Sequence, residues 1–547
     1  MQRKARSNAQ KNLTMSAKKT KNNSLKKLKH SLFISIGLFF LINTRCAKGQ
    51  NKAIIPNQQA AIVTVNVAID LAKTYQVIDN FGASDAWSCQ FVGNWPEAKR
   101  SAIADLLFST ELNAGGQPKG IGLSLWRFNI GGGSTQQGEL SGIKDDWRRA
   151  ESFLNADGSY DWQRQSGQLY FLQAAKARSV NQFLGFTNSP PVQFTANGKA
   201  YGSSGKPNLN PDKFDAFANF LTNVVKGVQL KTGILFNYIS PVNEPQWEWS
   251  DGGQEGSFFR NSDIGGITKS LNTALTNQNL QTKITVSDAG QYNFMYSDHG
   301  KTETGKQVNA FFSPGQPNYI GDLPRVEKLI AAHSYFTTSP YISAVSTRNE
   351  VSNIVSSTTG LRFWQSEYCI LGDNVGEIKG EGRDLGINPA LYVARTIHID
   401  MVNANATAWQ WWTAISAYDY KDGLIYVDKN KTDGNYYASK MLWALGNYSR
   451  FIRPGAVRVD VSSTEIAAKS NLLLISSYKD LKTKQLITVI VNSDVNPVKL
   501  KLNLKSGTVS DLTSYVTSSN ADLKSEKSSL ETVINPRTIT TLVGTIQ

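Results

Sequence analysis

Three cysteines and four histidines are few for a chain of 547 residues. Removal of a leader ending at Gly49 would leave only Cys89 and Cys369, too few for a disulfide framework, and whether these two pair is open. Histidine and cysteine are also frequent metal ligands, and they form no cluster along the sequence. We therefore predict a fold that rests on its apolar core, with no metal and no cofactor.

Acidic residues are absent from residues 1–49, which contain 12 Lys or Arg. The formal charge of +15 therefore belongs mainly to this leader, since the rest of the chain has 46 basic and 43 acidic residues. The sequence also lacks a basic stripe and the spacing of a zinc finger. These absences argue against a nucleic-acid partner.

Long apolar runs are also scarce, and the one that occurs, Leu32–Ile42, is too short to span a bilayer. It follows a Lys-rich segment and precedes Ala47-Lys48-Gly49, which has the pattern of a cleavage site. Residues 1–49 are therefore predicted to be a cleavable signal peptide of a secreted, periplasmic or cell-surface protein without a membrane span. Arg45 before Cys46 fits a lipid-attachment site poorly, so lipid anchoring is not expected.

Apolar runs alternate with helical stretches from Val77 onward. This alternation is typical of a parallel sheet, and eight units over about 370 residues favour an α/β fold, a closed (β/α)8 TIM barrel. The predicted barrel strands are Val77–Ala83, Gly120–Ile130, Gln182–Asn188, Gly233–Val242, Lys283–Asp288, Leu329–Phe336, Leu361–Tyr368 and Thr407–Thr413.

Short alternating strands flank this pattern at both ends of the chain. They predict an antiparallel β-sandwich side domain, formed by the N-terminal strand and the C-terminal region. The predicted segments are a signal peptide (1–49), a linker (50–60), the N-terminal strand of the side domain (61–76), the barrel (77–451) and the C-terminal β-sandwich (452–547).

Two glutamates end predicted barrel strands. Glu244 follows the fourth strand, and Glu367 closes the seventh. These strands face each other across a barrel mouth, where barrel enzymes keep their chemistry. One glutamate at a strand end is usually a capping or surface residue, but two in apolar, Trp-flanked settings favour a pair that cleaves a glycosidic bond. Burial would raise the pKa of one carboxyl and keep it protonated, as an acid catalyst requires.

Other polar residues near strand ends extend this candidate site. Arg127 ends the second strand, where its guanidinium could keep a carboxylate nucleophile ionised or form a structural ion pair. His333 and Tyr335 lie two residues apart on the sixth strand and therefore share a face. A lone histidine is more often a core residue, but the adjacent tyrosine favours a role in the site.

Aromatic residues are abundant at the same strand ends. The chain has 12 Trp, including Trp409, Trp411 and Trp412 on the eighth strand and Trp247 and Trp249 after the first glutamate. Aromatic faces stack on sugar rings, so this distribution favours a saccharide cleft, although any single Trp can serve packing. The glycine run 131–133 lacks the Lys of a P-loop and is interpreted as a tight turn near the substrate.

These motifs together resemble glycoside hydrolase family 30 over residues from about 77 to 460. The resemblance implies that Glu244 is the acid/base, Glu367 the nucleophile, and Asn243 the partner of the sugar 2-hydroxyl. The matching segments are Asn243-Glu244-Pro245, Ser366-Glu367-Tyr368-Cys369, Arg127, His333-Ser334-Tyr335, Trp412 and Leu445–Gly455. Arg127, Asn243, His333, Tyr335 and the tryptophans Trp87, Trp247 and Trp412 are the expected substrate-binding residues.

Within the family, Phe81–Trp87 and Asp145–Arg149 look like the endo-β-1,6-galactanase branch. Ser134 and Ser189-Pro190-Pro191-Val192 depart from the lysosomal glucosylceramidase branch, which argues against an exo-acting glucosidase. The resemblance therefore implies a secreted, monomeric, retaining endo-β-1,6-galactanase acting on a polysaccharide or oligosaccharide. The alternatives are a β-1,6-glucanase, an exo-acting β-galactosidase or β-fucosidase, and a non-catalytic polysaccharide-binding protein on a degenerate barrel.

Overall fold

The computed structural model describes residues 62–203, 205–465 and 471–547. The predicted signal peptide, the linker and Cys46 lie outside these ranges. Residues from Ile62 to Gln547 form one compact unit that contains both the barrel and the side sheet. Cys89 and Cys369 are both buried free thiols, which answers the question left open by the sequence.

A closed barrel of eight parallel strands forms the centre of this unit, as predicted. The first strand of the described chain, β1 (Val63–Val77), precedes it. The barrel strands are buried on both faces, as expected where helices surround a parallel sheet, and each lies within or overlaps one predicted run. They are β2 (Asn80–Ser84), β3 (Leu125–Asn129), β4 (Gln182–Phe186), β5 (Tyr238–Ser240), β6 (Lys283–Ala289), β7 (Val326–His333), β8 (Arg362–Glu367) and β9 (Ala408–Trp411).

Helices cover the barrel because their apolar stripes require a partner. In the helix Phe214–Thr232, for example, Phe217, Leu221, Val224 and Val228 recur at helical spacing and are buried. The helices are α1 (Cys89–Val92), α2 (Glu97–Phe108), α3 (Ser134–Gln137), α4 (Ser166–Ala177), α5 (Phe214–Thr232), α6 (Asn261–Asn277), α7 (Asn293–Tyr296), α8 (Gln307–Phe312), α9 (Tyr341–Ser356), α10 (Ile387–Val402) and α11 (Lys440–Ser449).

The side domain is a nine-stranded sheet in which β1 lies among C-terminal strands, as predicted. A small sheet of β10 (Ile415–Ser416), β11 (Ile425–Val427) and β12 (Tyr436–Ala438) first extends the loop after β9. The C-terminal strands are β13 (Val457–Ser462), β14 (Leu473–Asp480), β15 (Gln485–Asn492), β16 (Val498–Leu504), β17 (Val509–Ser518), β18 (Ala521–Lys527), β19 (Glu531–Ile534) and β20 (Thr538–Ile546). In the nine-stranded sheet, the strand order is β18-β17-β20-β15-β14-β13-β1-β16-β19.

Pairing in this sheet is antiparallel except between β1 and β16, which run parallel. The sheet has two buried faces. Leu474, Tyr478 and Val489 join the core of the barrel, whereas Val67 and Leu500 belong to a second apolar cluster inside the side domain. This core between sheet and barrel fixes the side domain against the barrel. The domain limits given above stay predictions.

Candidate active site

The two predicted catalytic glutamates lie at the same end of the barrel. Glu244 comes four residues after β5, and Glu367 is the last residue of β8. Both side chains are buried, although a carboxylate is rarely buried without partners. The backbone of Glu244 has a φ of 43°, and its N–H donates to the carbonyl of Asp288 at 2.8 Å. This hydrogen bond helps to hold a backbone conformation that is uncommon outside glycine.

Both carboxylate oxygens of Glu367 accept a hydrogen bond. Arg127, on β3, donates from Nη1 to Oε2 at 2.7 Å, and the Tyr335 hydroxyl donates to Oε1 at 3.1 Å. The two contacts come from β3 and from the turn just after β7, so the carboxylate has a fixed orientation. A charge-assisted bond from a guanidinium also stabilises the ionised form of the acid.

Arg127 links Glu367 to Asn243, the residue that precedes Glu244. Its second nitrogen, Nη2, donates to Oδ1 of Asn243 at 2.9 Å and lies 3.5 Å from Oδ2 of Asp288. The guanidinium also stacks on the ring of Phe186 at 3.7 Å. One buried side chain therefore positions residues from the ends of β5, β6 and β8.

His333 lies between the two glutamates. Its Nδ1 is 3.0 Å from Oε1 of Glu244 and 3.6 Å from Oε1 of Glu367. One ligand atom from each of these three residues lies within 4.8 Å of the other two, so the group could also hold a metal ion. Arg127 provides positive charge at the same point without an ion. The expected absence of a metal stays a prediction.

Burial and charge act in opposite directions on these groups. Burial raises the pKa of Glu367, and the opposing effects of His333 and Arg127 do not fully cancel it. Burial alone would lower the pKa of His333, but the surrounding carboxylates, Glu367 foremost, raise it overall. These carboxylates therefore stabilise the charged form of the histidine.

Aromatic side chains form two clusters just after the ends of barrel strands. Trp412, just after β9, meets Trp87 edge-on with ring centres 5.0 Å apart, and Arg148 stacks on Trp87 at 4.4 Å. In the second cluster, Trp247 packs against Phe294 and Phe336. Trp409 and Trp411 belong to the core instead, since Trp409 donates to Asp400 and Trp411 donates to the Asp422 carbonyl.

Two buried carboxylates near this site, Asp288 and Glu255, were not predicted from the sequence. Asp288 ends the fifth predicted strand, at the edge that carries Glu244, so the strand-end rule could have found it. Glu255 is buried and accepts from the N–H of Gly132 at 2.8 Å and from the hydroxyl of Ser134 at 2.6 Å. It thus anchors the glycine run, in which Gly133 adopts a φ of 96°.

A family model described as O-glycosyl hydrolase family 30 matches residues 64–426. The chain belongs to glycoside hydrolase family 30. The match includes the barrel with Glu244, Glu367 and their partners, so the family assignment and the site geometry concern the same residues. This family 30 chain is therefore a glycoside hydrolase, with a carbohydrate as its substrate.

Individual relatives agree with this assignment. The family 30 chain is 26% identical over 416 residues to an endo-β-1,6-galactanase of Hypocrea rufa, covering 73% of this chain and 76% of the relative. It is 34% identical to a solved conserved exported protein from Bacteroides fragilis, with a TM-score of 0.80 and coverage of 87% and 99%. The catalytic domain of a family 30 xylanase from Talaromyces cellulolyticus shares the fold at 20% identity, with a TM-score of 0.65 and coverage of 88% and 100%.

Among the described residues, no helix is both long enough and apolar enough to cross a bilayer.

Proposed function

We propose that this family 30 chain is a secreted, retaining endo-β-1,6-galactanase that acts by double displacement. The observation that carries the proposal is the close pairing of Glu244 and Glu367, with one oxygen of each within 4.8 Å. Retaining glycosidases place their carboxyl groups roughly 5–5.5 Å apart, whereas inverting enzymes need about 6.5–9.5 Å to admit a water molecule. The short separation therefore supports retention.

In the first step, Glu367 attacks the anomeric carbon and forms a covalent glycosyl ester. The bond to the leaving sugar breaks as its oxygen takes the proton of Glu244. Arg127 and Tyr335 support this role because they hold the attacking carboxylate in one orientation. Fixed orientation lowers the entropic cost of reaching the transition state.

In the second step, Glu244 acts as a base. It takes a proton from water as the water oxygen attacks the anomeric carbon, and the ester bond to Glu367 breaks. The product keeps its original anomeric configuration because the carbon is inverted twice. Glu244 ends the cycle protonated, and Glu367 ends it as a carboxylate.

The remaining predicted residues would bind the sugar. Asn243 accepts from Arg127 through Oδ1, so its amide nitrogen is the group we assign to the sugar 2-hydroxyl. Trp412 and Trp87 would contact sugar rings on one side of the cleaved bond, and Trp247 on the other. His333 and Tyr335 would reach the substrate next to the two glutamates that they contact.

The galactan assignment rests on the endo-β-1,6-galactanase relative and on the Phe81–Trp87 and Asp145–Arg149 segments. Secretion is supported by the exported relative and by the predicted signal peptide of residues 1–49. Ser134 is one of the residues that depart from the exo-acting branch. It is buried, and its hydroxyl donates a hydrogen bond to Glu255. We further propose that the enzyme is monomeric and needs no cofactor.

Two variants test the catalytic roles. Glu367→Ala should abolish turnover and regain part of it with azide, which replaces the missing nucleophile. Glu244→Ala should still cleave aryl glycosides whose leaving groups need no protonation, but not the polysaccharide. Glu111→Ala, at an exposed position whose side chain pairs with Lys119, provides the control. Hydrolysis of the polysaccharide at near-wild-type rates by either catalytic variant would refute the roles.

Product analysis tests the substrate. Wild-type enzyme should release oligomers from β-1,6-galactan and leave β-1,3-galactan and β-1,6-glucan intact. Proton NMR of early products should show the β-anomer first, as retention requires. Monosaccharide products would favour the exo-acting alternative, cleavage of β-1,6-glucan would favour the glucanase, and binding without any cleavage would favour the non-catalytic protein.

A further inference from the structure

A surface pocket of about 480 Å³ lies beside α5, and the proposed mechanism gives it no role. None of its lining residues belongs to the active site described above. Two aromatic residues come from the segment just before α4, and the other residues belong to α5. They are Tyr160, Trp162, Asn223, Lys226, Gly227, Leu230 and Lys231.

Two nearly parallel aromatic rings line this pocket. The rings of Tyr160 and Trp162 have centres 5.2 Å apart and an interplanar angle of 10°, and both side chains are half-buried. Tyr160 also stacks on Phe220, with centres 6.3 Å apart, and its hydroxyl accepts from the Asn223 amide at 3.2 Å. The rings are therefore held in place before a ligand arrives. Rigid aromatic rings that reach the surface can stack on a sugar ring at a small entropic cost.

A glycine inside α5 makes room for Trp162. Glycine destabilises a helix interior relative to alanine, so its presence there usually has a packing or functional reason. A Cβ at position 227 would lie 2.0 Å from the Trp162 ring, so Gly227 lets this ring lie directly against the helix backbone. Leu230 lines the same pocket and is 80% exposed. The pocket therefore continues from the aromatic pair to an exposed apolar side chain.

The charged groups of the pocket are all positive. Lys226 and Lys231 line it, and none of its lining residues is acidic. Among the described residues, neither lysine forms an ion pair, and Lys231 donates a long hydrogen bond of 3.4 Å to Gln163. Asp161, the acidic neighbour of Trp162 in the sequence, is paired with Arg164 at 3.4 Å. Both lysines can therefore pair with an anionic group of a ligand.

We propose that this pocket is a second saccharide-binding site, which takes a sugar chain that carries carboxylate groups, such as those of uronic acids. A sugar ring would stack on the aromatic pair, and its carboxylate would pair with Lys226 or Lys231. This site requires neither the catalytic roles of the glutamates nor the β-1,6-galactan assignment. A polysaccharide held here would stay attached between cleavage events, because a second contact raises the local concentration of the chain at the active site.

Affinity electrophoresis tests the role of the lysines. The probes are a galactan whose side chains end in glucuronic acid and the same polymer after reduction of its carboxyl groups to alcohols. In the Glu367→Ala background, which leaves the probe intact, Lys226→Gln with Lys231→Gln should weaken binding to the acidic probe by about three- to tenfold, as two exposed ion pairs allow. Binding to the reduced probe should stay nearly unchanged. Lys176→Gln with Lys269→Gln, at exposed positions outside the pocket, removes the same charge and is the matched control. Equal weakening by both pairs of substitutions, or none by either, would overturn the proposal.

Fluorine NMR of protein labelled with fluorotryptophan shows where the ligand binds. The resonance of Trp162, assigned by its loss in Trp162→Phe, should shift when acidic oligosaccharides from the same galactan are added. Trp126 is fully buried in the barrel core and serves as the internal reference. A Trp162 resonance that does not move would overturn the proposal. A wild-type protein that cleaves no galactan would refute the proposed function instead, and the shift of Trp162 would still decide whether the pocket binds the sugar.

Discussion

Replacing Asp85 with asparagine should make the stability of the protein less dependent on pH. Asp85 directly follows β2 and is completely buried. Its Oδ1 accepts from the Asn129 N–H at 2.7 Å and from Gln168 at 3.3 Å, while its Oδ2 has no hydrogen-bond partner among the described residues. Asparagine can keep the accepting oxygen in place, so the substitution removes the titration and preserves both hydrogen bonds.

The magnitude follows from the pKa of Asp85, which burial raises from 3.8 to about 7. A shift of roughly three units corresponds to about 4 kcal/mol. Because the folded state holds the proton more tightly than the unfolded state, the contribution of Asp85 to stability is fully present below about pH 4. The wild-type protein loses this contribution as the pH rises through about 7. The asparagine variant should lack this loss, whatever constant cost its buried amide adds.

Urea unfolding followed by circular dichroism at pH 5, 6, 7 and 8 measures the effect. The difference in unfolding free energy between Asp85→Asn and wild type should shift in favour of the variant by a few kcal/mol over this range. Asp212→Asn, at an exposed position, should show no such shift. Some dependence on pH should remain, because burial also raises the pKa of Glu255 to about 7. Parallel curves for the variant and the wild type would refute the reasoning.

Three other outcomes test separate contacts. Arg127→Lys should lower kcat by about 100-fold or more, since an ammonium cannot replace the planar guanidinium that joins Glu367 to Asn243; a change below threefold would contradict this. Gly227→Ala should destabilise the protein by about 1–3 kcal/mol, because the added Cβ would lie 2.0 Å from the Trp162 ring; an unchanged urea midpoint would contradict it. The acid limb of kcat/KM should lie above pH 4.5, the ordinary pKa of a glutamate, because burial raises the pKa of Glu367; full activity at pH 4 would contradict it.

The barrel could be predicted because its strands are buried on both faces and therefore appear as continuous apolar runs. Strands β17, β18 and β19 escaped prediction for the opposite reason. They lie at or next to the two edges of the side sheet and carry many exposed polar and charged residues, as in Ala521–Lys527. Edge strands carry such residues because one side faces solvent, and their composition then matches that of a loop. The parallel pairing of β1 with β16 was also missed, since strand composition carries no information about direction.

The position of the site could be predicted for a similar reason. Strand ends in a barrel converge on one edge, so Glu244 and Glu367 had to lie close together once the strand count was right. Only some of the tryptophans at the predicted strand ends lie in the site. Trp409 and Trp411 lie on β9 and pack into the core. Trp412 lies past the end of the strand and contacts Trp87.

The electrostatic state of the site was beyond prediction from sequence. It depends on which oxygen faces which nitrogen, and Asp288, like Glu367, lies within 4 Å of both Arg127 and His333. Those two residues lie on strands that are not adjacent in the barrel order, so no local pattern links them to Asp288. The site described above holds three carboxylates, those of Glu244, Asp288 and Glu367, against one arginine. That excess of two negative charges requires two compensating positive charges or protons, and His333 lies against all three carboxylates.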